Sequence, residues 1–294
     1  MKLLQKIEEY TITQKDSKQQ IAELLLEHKN EIQSYSMEKI AKESFSSKSA
    51  LVRFGKSLGF AGWKDFFQAL IEEIHYEEKH YSDIDPNLPF NQEDSYSEII
   101  QKIATIQIES IQDTADRIDV NVLDEAVTIL LKAQRVVLLG VSPNNLLGEV
   151  FRRKMATLGR SIEVIQSGEI GMISHSLTKK DAAIIVSYSG NDAGREPMRF
   201  ISLMKKNGVM LIGLTSEGDN YIRKVIPTVL TISSRERLFK KISNFSTEES
   251  ILFLLNILYA GYFSKNYIRN YTFKVGNSIA LEETRKISQF DLKE

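Results

Sequence analysis

Apolar residues recur at helical spacing through the first 75 positions. Ile21, Leu24, Leu25 and His28 follow one another at intervals of three and four, and Ile71 with Ile74 closes the stretch. No β-branched run interrupts it, so an all-helical domain is expected over residues 1–76. Within it Met37, Ile40 and Ala41 keep the period, Ser44, Phe45 and Ser46 break it, and Ala50, Leu51, Phe54 and Leu58 resume it. That order reads as helix, tight turn, helix, with Ser36 and Ser46 as the expected N-caps, because a serine oxygen can accept an unpaired first-turn N–H. Residues 77–94 then turn acidic and polar, and Pro86 and Pro89 forbid a continued helix, so this stretch is expected to be a linker.

Beyond residue 95 the pattern changes again. Helical spacing returns over 96–119 and 122–133, and then short unbroken apolar runs appear at 136–139, 162–165, 182–186, 209–214 and 229–232. Runs of that length without alternation are what strands buried on both faces look like. Helix-like segments at 146–158, 170–177, 197–207 and 221–225 separate them, which predicts right-handed crossovers and a five-stranded parallel sheet, a doubly wound α/β domain over residues 95–267. A last helix at 247–263 is apolar nearly all round its circumference, as a helix in a core or at a subunit interface would be. Residues 268–294 read as a polar C-terminal extension.

Length agrees with two domains, since 294 residues exceed what one hydrophobic core commonly absorbs. With 42% hydrophobic and 26% charged residues the chain has a globular composition, and no apolar run approaches the roughly 18 residues that span a bilayer. No membrane partner is expected. The absence of cysteine excludes disulfides and thiolate zinc sites, and the polar first residues leave no room for a signal-peptide apolar region, so a cytoplasmic location is expected. Thirty-eight basic residues against 39 acidic give a net charge of -1, so any affinity for polyanions has to come from a local patch.

One such patch lies in the first domain. From Ser36 to Lys64 there are six basic and two acidic residues, and Lys48, Arg53 and Lys56 fall on the second helix of the pair. In a helix-turn-helix the second helix enters the major groove, so Ser47, Lys48 and Ser49 would face base edges while Arg53 and Lys56 meet phosphates. The same charges would also serve as an ordinary solvated face. The residues that follow, Arg53-Phe54 and then Leu58-Gly59-Phe60-Ala61-Gly62 leading to Phe66, resemble the signature that succeeds the recognition helix in RpiR-type transcriptional regulators. The resemblance spans about residues 17–75 and implies operator DNA as a partner. Phe54, Leu58, Phe60, Trp63 and Phe66 read as core anchors, and Gly59 and Gly62 suit the chain reversal. Ser44 stands in the turn where such proteins often carry glycine.

In parallel sheets ligands sit beyond the carboxyl ends of the strands. Two loops there are rich in hydroxyls and amides: Ser142, Asn144 and Asn145 after the first strand, and Ser187, Ser189, Gly190, Asn191 and Asp192 after the third. Such groups at helix N-termini suit a phosphate ester, although each loop alone also reads as ordinary turn and cap chemistry. Thr215 and Ser216 could add hydroxyls from the fourth strand. Residues 136–267 are similar to a SIS (sugar isomerase) domain, which RpiR-type regulators join to their helix-turn-helix. The resemblance implies a phosphorylated sugar as ligand, with Ser142, Ser187 and Ser189 as its contacts. Asp192 departs from the threonine usual in that loop, and Arg195 is the expected partner of its carboxylate; Val141 and Pro143 depart from glycine and serine.

Aldose–ketose isomerisation would need a base beside the carbonyl. Glu248, Glu249 and His175 are the candidates, but Ser246 with Glu249 also fits a capping box. No residue spacing suggests a metal site, and no cofactor is expected. The resulting expectation is a regulator and not an enzyme: a homodimer or homotetramer that binds operator DNA and senses a phosphosugar to control carbohydrate metabolism genes. The alternatives are a sugar-phosphate isomerase with an accessory helical domain, and a regulator whose helical domain docks on another protein.

Overall fold

The computed structural model describes residues 3–237 and 241–284. The chain divides into two compact units: Met1–Gln112 together with Ser233–Thr247, and Asp113–Ile232 together with Glu248–Glu294.

The first unit is helical. It holds α1 (Leu3–Thr13), α2 (Ser17–Glu27), α3 (Met37–Glu43), α4 (Lys48–Ser57) and α5 (Trp63–His80). Their inward faces form one core, with Ile7, Ile21, Leu25, Ile40, Leu51, Phe54, Phe66 and Leu70 fully buried. Phe66 is the hub of an aromatic cluster, its ring 5.3 Å from Phe54, 5.7 Å from Phe60 and 5.2 Å from Trp63. Edge-on and tilted arrangements of this kind add to what burial alone contributes.

The linker expected at 77–94 begins while α5 is still helical, and its middle is held inside this unit. Asn87 is buried; its side-chain oxygen accepts from the Arg237 N–H at 2.6 Å and its carbonyl accepts from the Ile242 N–H. The segment after the last strand is therefore tied to the helical unit. Arg235 pairs with Glu109 at 2.8 Å, Arg237 with Glu8 at 2.8 Å, and Gln5 donates to the carbonyls of Ser234 and Glu236.

The second unit is built on a parallel sheet of β1 (Val136–Leu139), β2 (Glu163–Ile165), β3 (Ala182–Val186), β4 (Met210–Ser216) and β5 (Thr228–Ile232), in the order β2-β1-β3-β4-β5. Before it come α6 (Tyr96–Asp116), which starts in the first unit, and α7 (Val120–Lys132); the crossovers carry α8 (Asn144–Ala156), α9 (Ile170–Ser176), α10 (Ile201–Lys206) and α11 (Tyr221–Val225). All five strands expected from the sequence are present. Alternation along each strand divides the interior into two layers. Val136, Leu138, Ile184, Val186, Ile212 and Leu214 face α7, α8 and α12 (Phe245–Lys265), while Val137, Leu139, Ala183 and Ile185 face α9, α10 and α11.

Two local expectations are corrected. The N-cap of α4 is Ser47 and not Ser46: the Ala50 N–H donates to the Ser47 hydroxyl at 3.2 Å. The helix at the end of the sheet domain begins at Phe245, so Ser246 lies inside it and forms no capping box with Glu249. Its first-turn N–H groups, on Ser246 and Thr247, donate instead to the Glu236 carboxylate, a partner ten residues back that no local pattern could announce. The C-terminal extension, whose order the sequence leaves open, begins as an 18-residue helix, α13 (Tyr267–Thr284).

Candidate functional site

Two places gather the residues singled out by the sequence. The first is the exposed face of α4. Ser47, Lys48, Ser49, Arg53 and Lys56 are all solvent-exposed, while Ala50, Leu51 and Phe54 turn into the core. The helix is held in this orientation at both ends. Ser47 caps its start; at its end the Gly59 N–H donates to the Lys56 carbonyl and the Phe60 N–H to the Gly55 carbonyl, with Gly59 at φ 96. That pairing of bonds is a Schellman stop, which requires the left-handed backbone that glycine adopts freely. Gly62, by contrast, is extended and needs no such freedom.

Lys48 is paired with Glu38 of α3, and the ammonium holds the Glu38 carboxyl below the usual carboxylate range. Arg53 and Lys56 have no ion-pair partner among the described residues. In the turn itself Ser44 has an ordinary backbone, and the positive φ falls on Phe45, whose ring is 87% exposed.

The second place is the carboxyl edge of the sheet, where β1 and β3 lie side by side and their following helices leave to opposite faces. At such a switch point the two loops part and leave a crevice between helix N-termini. Ser142 is exposed on the β1 loop, just before a cis bond to Pro143. Asn144 opens α8 and donates to the Val186 carbonyl at 3.3 Å, tying the β1 loop to the end of β3. Asn145 is buried; it donates to Gln166 on the β2 loop at 3.1 Å, and its carbonyl oxygen has no partner.

On the β3 loop the Ser187 hydroxyl accepts from the Gly190 N–H, Ser189 is half-buried, and Asn191 is exposed. Gly190 has φ 58 and packs so closely on β4 that a Cβ there would lie 2.4 Å from the Thr215 hydroxyl and 3.0 Å from Asn220. Thr215 and Ser216 both bond the Tyr188 carbonyl, and Asn220 caps α11, so the β4 loop braces the β3 loop from behind. Asp192 pairs with Arg195 at 3.1 Å, both exposed, and also accepts from the Gly194 N–H.

The eight residues expected at a ligand thus lie on two neighbouring loops. The bracing partners Gln166 and Asn220 were not anticipated. Asn220 before an apolar helix carried a readable N-cap signal, whereas nothing local marks Gln166.

The candidate bases fall differently. His175 is exposed in the last turn of α9, and Ser176 beside it accepts from Arg135 at 3.1 Å, one residue before β1 begins. That is the amino edge of the sheet, opposite the loops. Glu248 and Glu249 are half-buried near the start of α12. Among the described residues no group of three or more His, Asp or Glu could hold a metal ion, and no described helix is long and apolar enough to cross a membrane.

Comparison with known proteins is consistent along the chain. Residues 1–77 match the model of the rpiR-family helix-turn-helix domain, and residues 129–257 match that of the SIS domain. An uncharacterized HTH-type transcriptional regulator from Clostridium perfringens is 29% identical over 220 residues, covering 75% of this chain and 77% of that one. Among solved structures, the Vibrio vulnificus NanR protein complexed with ManNAc-6P superposes with a TM-score of 0.58 at 18% identity, covering 97% of this chain and 100% of that one. The sugar isomerase domain of the RpiR transcription factor from Sphaerobacter thermophilus gives 0.53 at 17% identity over 62% of this chain and 98% of its own. These two likenesses establish the fold.

Proposed function

Because this chain belongs to the RpiR-type regulators, an rpiR-family helix-turn-helix followed by a SIS domain, we propose that it is a transcriptional regulator whose α4 reads operator DNA and whose β1 and β3 loops bind a phosphorylated sugar. Occupancy of the loops changes DNA affinity by the difference in ligand affinity between the two states of the protein. The observation that carries the reading is the braced switch point. Hydroxyls and amides from Ser142 to Asn145 and from Ser187 to Asn191 stand at one edge, with Gly190 wedged against Thr215 and the helix dipole of α8 behind them. Its relatives are named as regulators, which supports a sensor over an enzyme.

Arg53 and Lys56 would contact phosphates; Ser47, Lys48 and Ser49 would approach bases, Lys48 after leaving Glu38. Asp192, neutralised by Arg195, would stay clear of the ligand phosphate. A pair of such units reading a two-fold site would place its recognition helices about one DNA turn, roughly 34 Å, or a multiple of it apart.

The test is a thermal-shift screen of sugar phosphates with inorganic phosphate and the free sugars as controls, joined to gel retardation of the promoter fragment. A ligand that binds only the folded state must raise the melting temperature. The expected result is a shift with one class of sugar phosphate, lost in Ser187→Ala/Ser189→Ala, and a change in retardation when that sugar is present. No shift with any sugar phosphate would refute the sensing role. Turnover of a hexose phosphate, abolished by Glu249→Gln, would replace it with the isomerase.

A further inference from the structure

Helices α3 and α4 stop in the same way with different residues. At the end of α4 the left-handed place between the two closing bonds is taken by Gly59. At the end of α3 the Phe45 N–H donates to the Lys42 carbonyl at 3.2 Å and the Ser46 N–H to the Ala41 carbonyl at 2.8 Å, and the left-handed place falls to Phe45, at φ 49. Glycine usually fills it, because a Cβ there crowds the following carbonyl oxygen. Among the described residues Phe45 is the one non-glycine residue with positive φ.

Packing does not account for the choice. The ring has no part in the core of the helical unit, and it is the most exposed large apolar side chain among the described residues. The turn is held without it: the Ser44 hydroxyl bonds the Ile40 carbonyl at 2.7 Å and the Ser46 hydroxyl at 2.8 Å, and Ser47 caps α4. A single exposed apolar residue is ordinary. Exposure joined to a disfavoured backbone is a cost with no return inside the unit, and strain held in place by its surroundings gathers at recognition sites.

We propose that the Phe45 ring reads a base: it packs on the methyl group of a thymine when α4 is seated in the major groove. The proposal rests on the reading of α4 as the DNA-facing helix. Phe45 stands on the turn that feeds α4, just before Ser47 and Lys48, and the early residues of a recognition helix are the ones that meet base edges. In the major groove those edges present donors and acceptors, with the thymine methyl as their apolar group. Apolar wedges driven between base steps belong to minor-groove binders, a different geometry. The stretch from Ser36 to Lys64 around the ring carries six basic and two acidic residues, which favours a polyanion over an apolar protein surface. The ring supplies what Ser47, Lys48 and Ser49 lack, a preference for thymine at one position.

The test uses the full chain and the promoter fragment, ordinary or with uracil in place of single thymines, since uracil pairs alike and lacks only the methyl group. At least one position is expected where uracil weakens retardation by the parent about four-fold, the effect of one buried methyl-sized group. Phe45→Gly and Phe45→Asn both suit a positive φ, so they should melt no lower than the parent. Both should weaken retardation of the ordinary fragment by about tenfold, keep the salt slope and show no uracil effect at that position. Phe45→Tyr keeps the ring and should keep the uracil effect. Retardation equal in parent and variants would overturn the proposal and leave the ring to a protein partner. A parent insensitive to uracil, or variants as sensitive as the parent, would overturn it while the DNA reading of α4 stands. Variants that melt well below the parent would overturn it by making the ring a part of the fold. No retardation by the parent would overturn the DNA reading itself, and this proposal with it.

Discussion

The two candidate surfaces are assembled in opposite ways. The face of α4 takes all its exposed residues from one stretch, Ser47 to Lys56, and needs a single helix held at both ends. The loop cluster draws on residues 140–145, 187–192 and 215–220, which meet only because β1, β3 and β4 are in register side by side. A local surface survives if its helix forms, whereas a convergent one fails as soon as any of its three loops shifts. The first should keep its shape under any substitution that spares its core contacts and its two ends, and the second should be brittle at its braces.

Breaking the local surface therefore takes a core change. Phe66→Ala removes a fully buried ring from the centre of the aromatic cluster and is expected to cost about 3–5 kcal/mol. Retardation of the promoter fragment should be lost while the phosphosugar thermal shift persists. Loss of both would show that the two surfaces do not stand independently.

The convergent surface should break at a single brace. Gly190→Ala puts a methyl group against the Thr215 hydroxyl at a positive φ, at an expected cost of about 1–3 kcal/mol. The sugar-phosphate shift should disappear and DNA binding without ligand should remain. An unchanged shift would mean that the β3 loop is not part of the ligand site.

The segment Ser233–Thr247 leaves the end of β5 yet belongs with the helical unit, and Glu236 is its buried polar centre. Burial pushes the Glu236 carboxyl up, against the lowering effect of bonds from Thr247 and Ser246 and of Lys241 nearby. A raised folded value means that the folded state holds the proton more tightly than the unfolded chain. Stability should therefore fall as pH rises from the ordinary carboxylate range, about 4, through the raised value. Glu236→Gln removes this loss, so denaturant melts should show the variant gaining on the parent as pH rises. A variant that loses ground with rising pH would show the carboxylate to be the favoured form.

Smaller effects sharpen the picture on each side. Lys56→Ala should weaken retardation evenly across DNA sequences and lower the salt slope by about 1, as expected for one phosphate contact; a change in sequence preference would move Lys56 to a base edge. Asp192→Thr removes an exposed pair with Arg195 that contributes at most about 1 kcal/mol. Sugar-phosphate affinity should hold or rise in the titration, and a large loss would make Asp192 a ligand contact.

These contrasts follow how each feature was readable. The five strands showed as short apolar runs, since a strand covered on both faces has no room for polar residues, and the helix pair showed through its period and the glycine that ends it. Cap positions slipped where several serines compete, at Ser46 and Ser47, because one residue's difference is settled by backbone path and not by side-chain chemistry. The start of α12 was misread for a different reason: its N–H groups are satisfied by Glu236 from another part of the chain. Helix α13 has no readable period because its polar residues are scattered among apolar ones that its own unit leaves uncovered.

Period and composition along the chain were enough to settle the two architectures, the order in which they occur and which loops carry hydroxyls, because these depend on local spacing and on the need to bury apolar surface. Tertiary packing alone decided that the β4 loop stands behind Gly190, that Glu236 closes a distant helix, that His175 lies at the far edge of the sheet and that α13 is left bare. Hydrogen bonds and steric fit act between atoms brought close by the fold, and their partners leave no mark on the residues next to them in sequence.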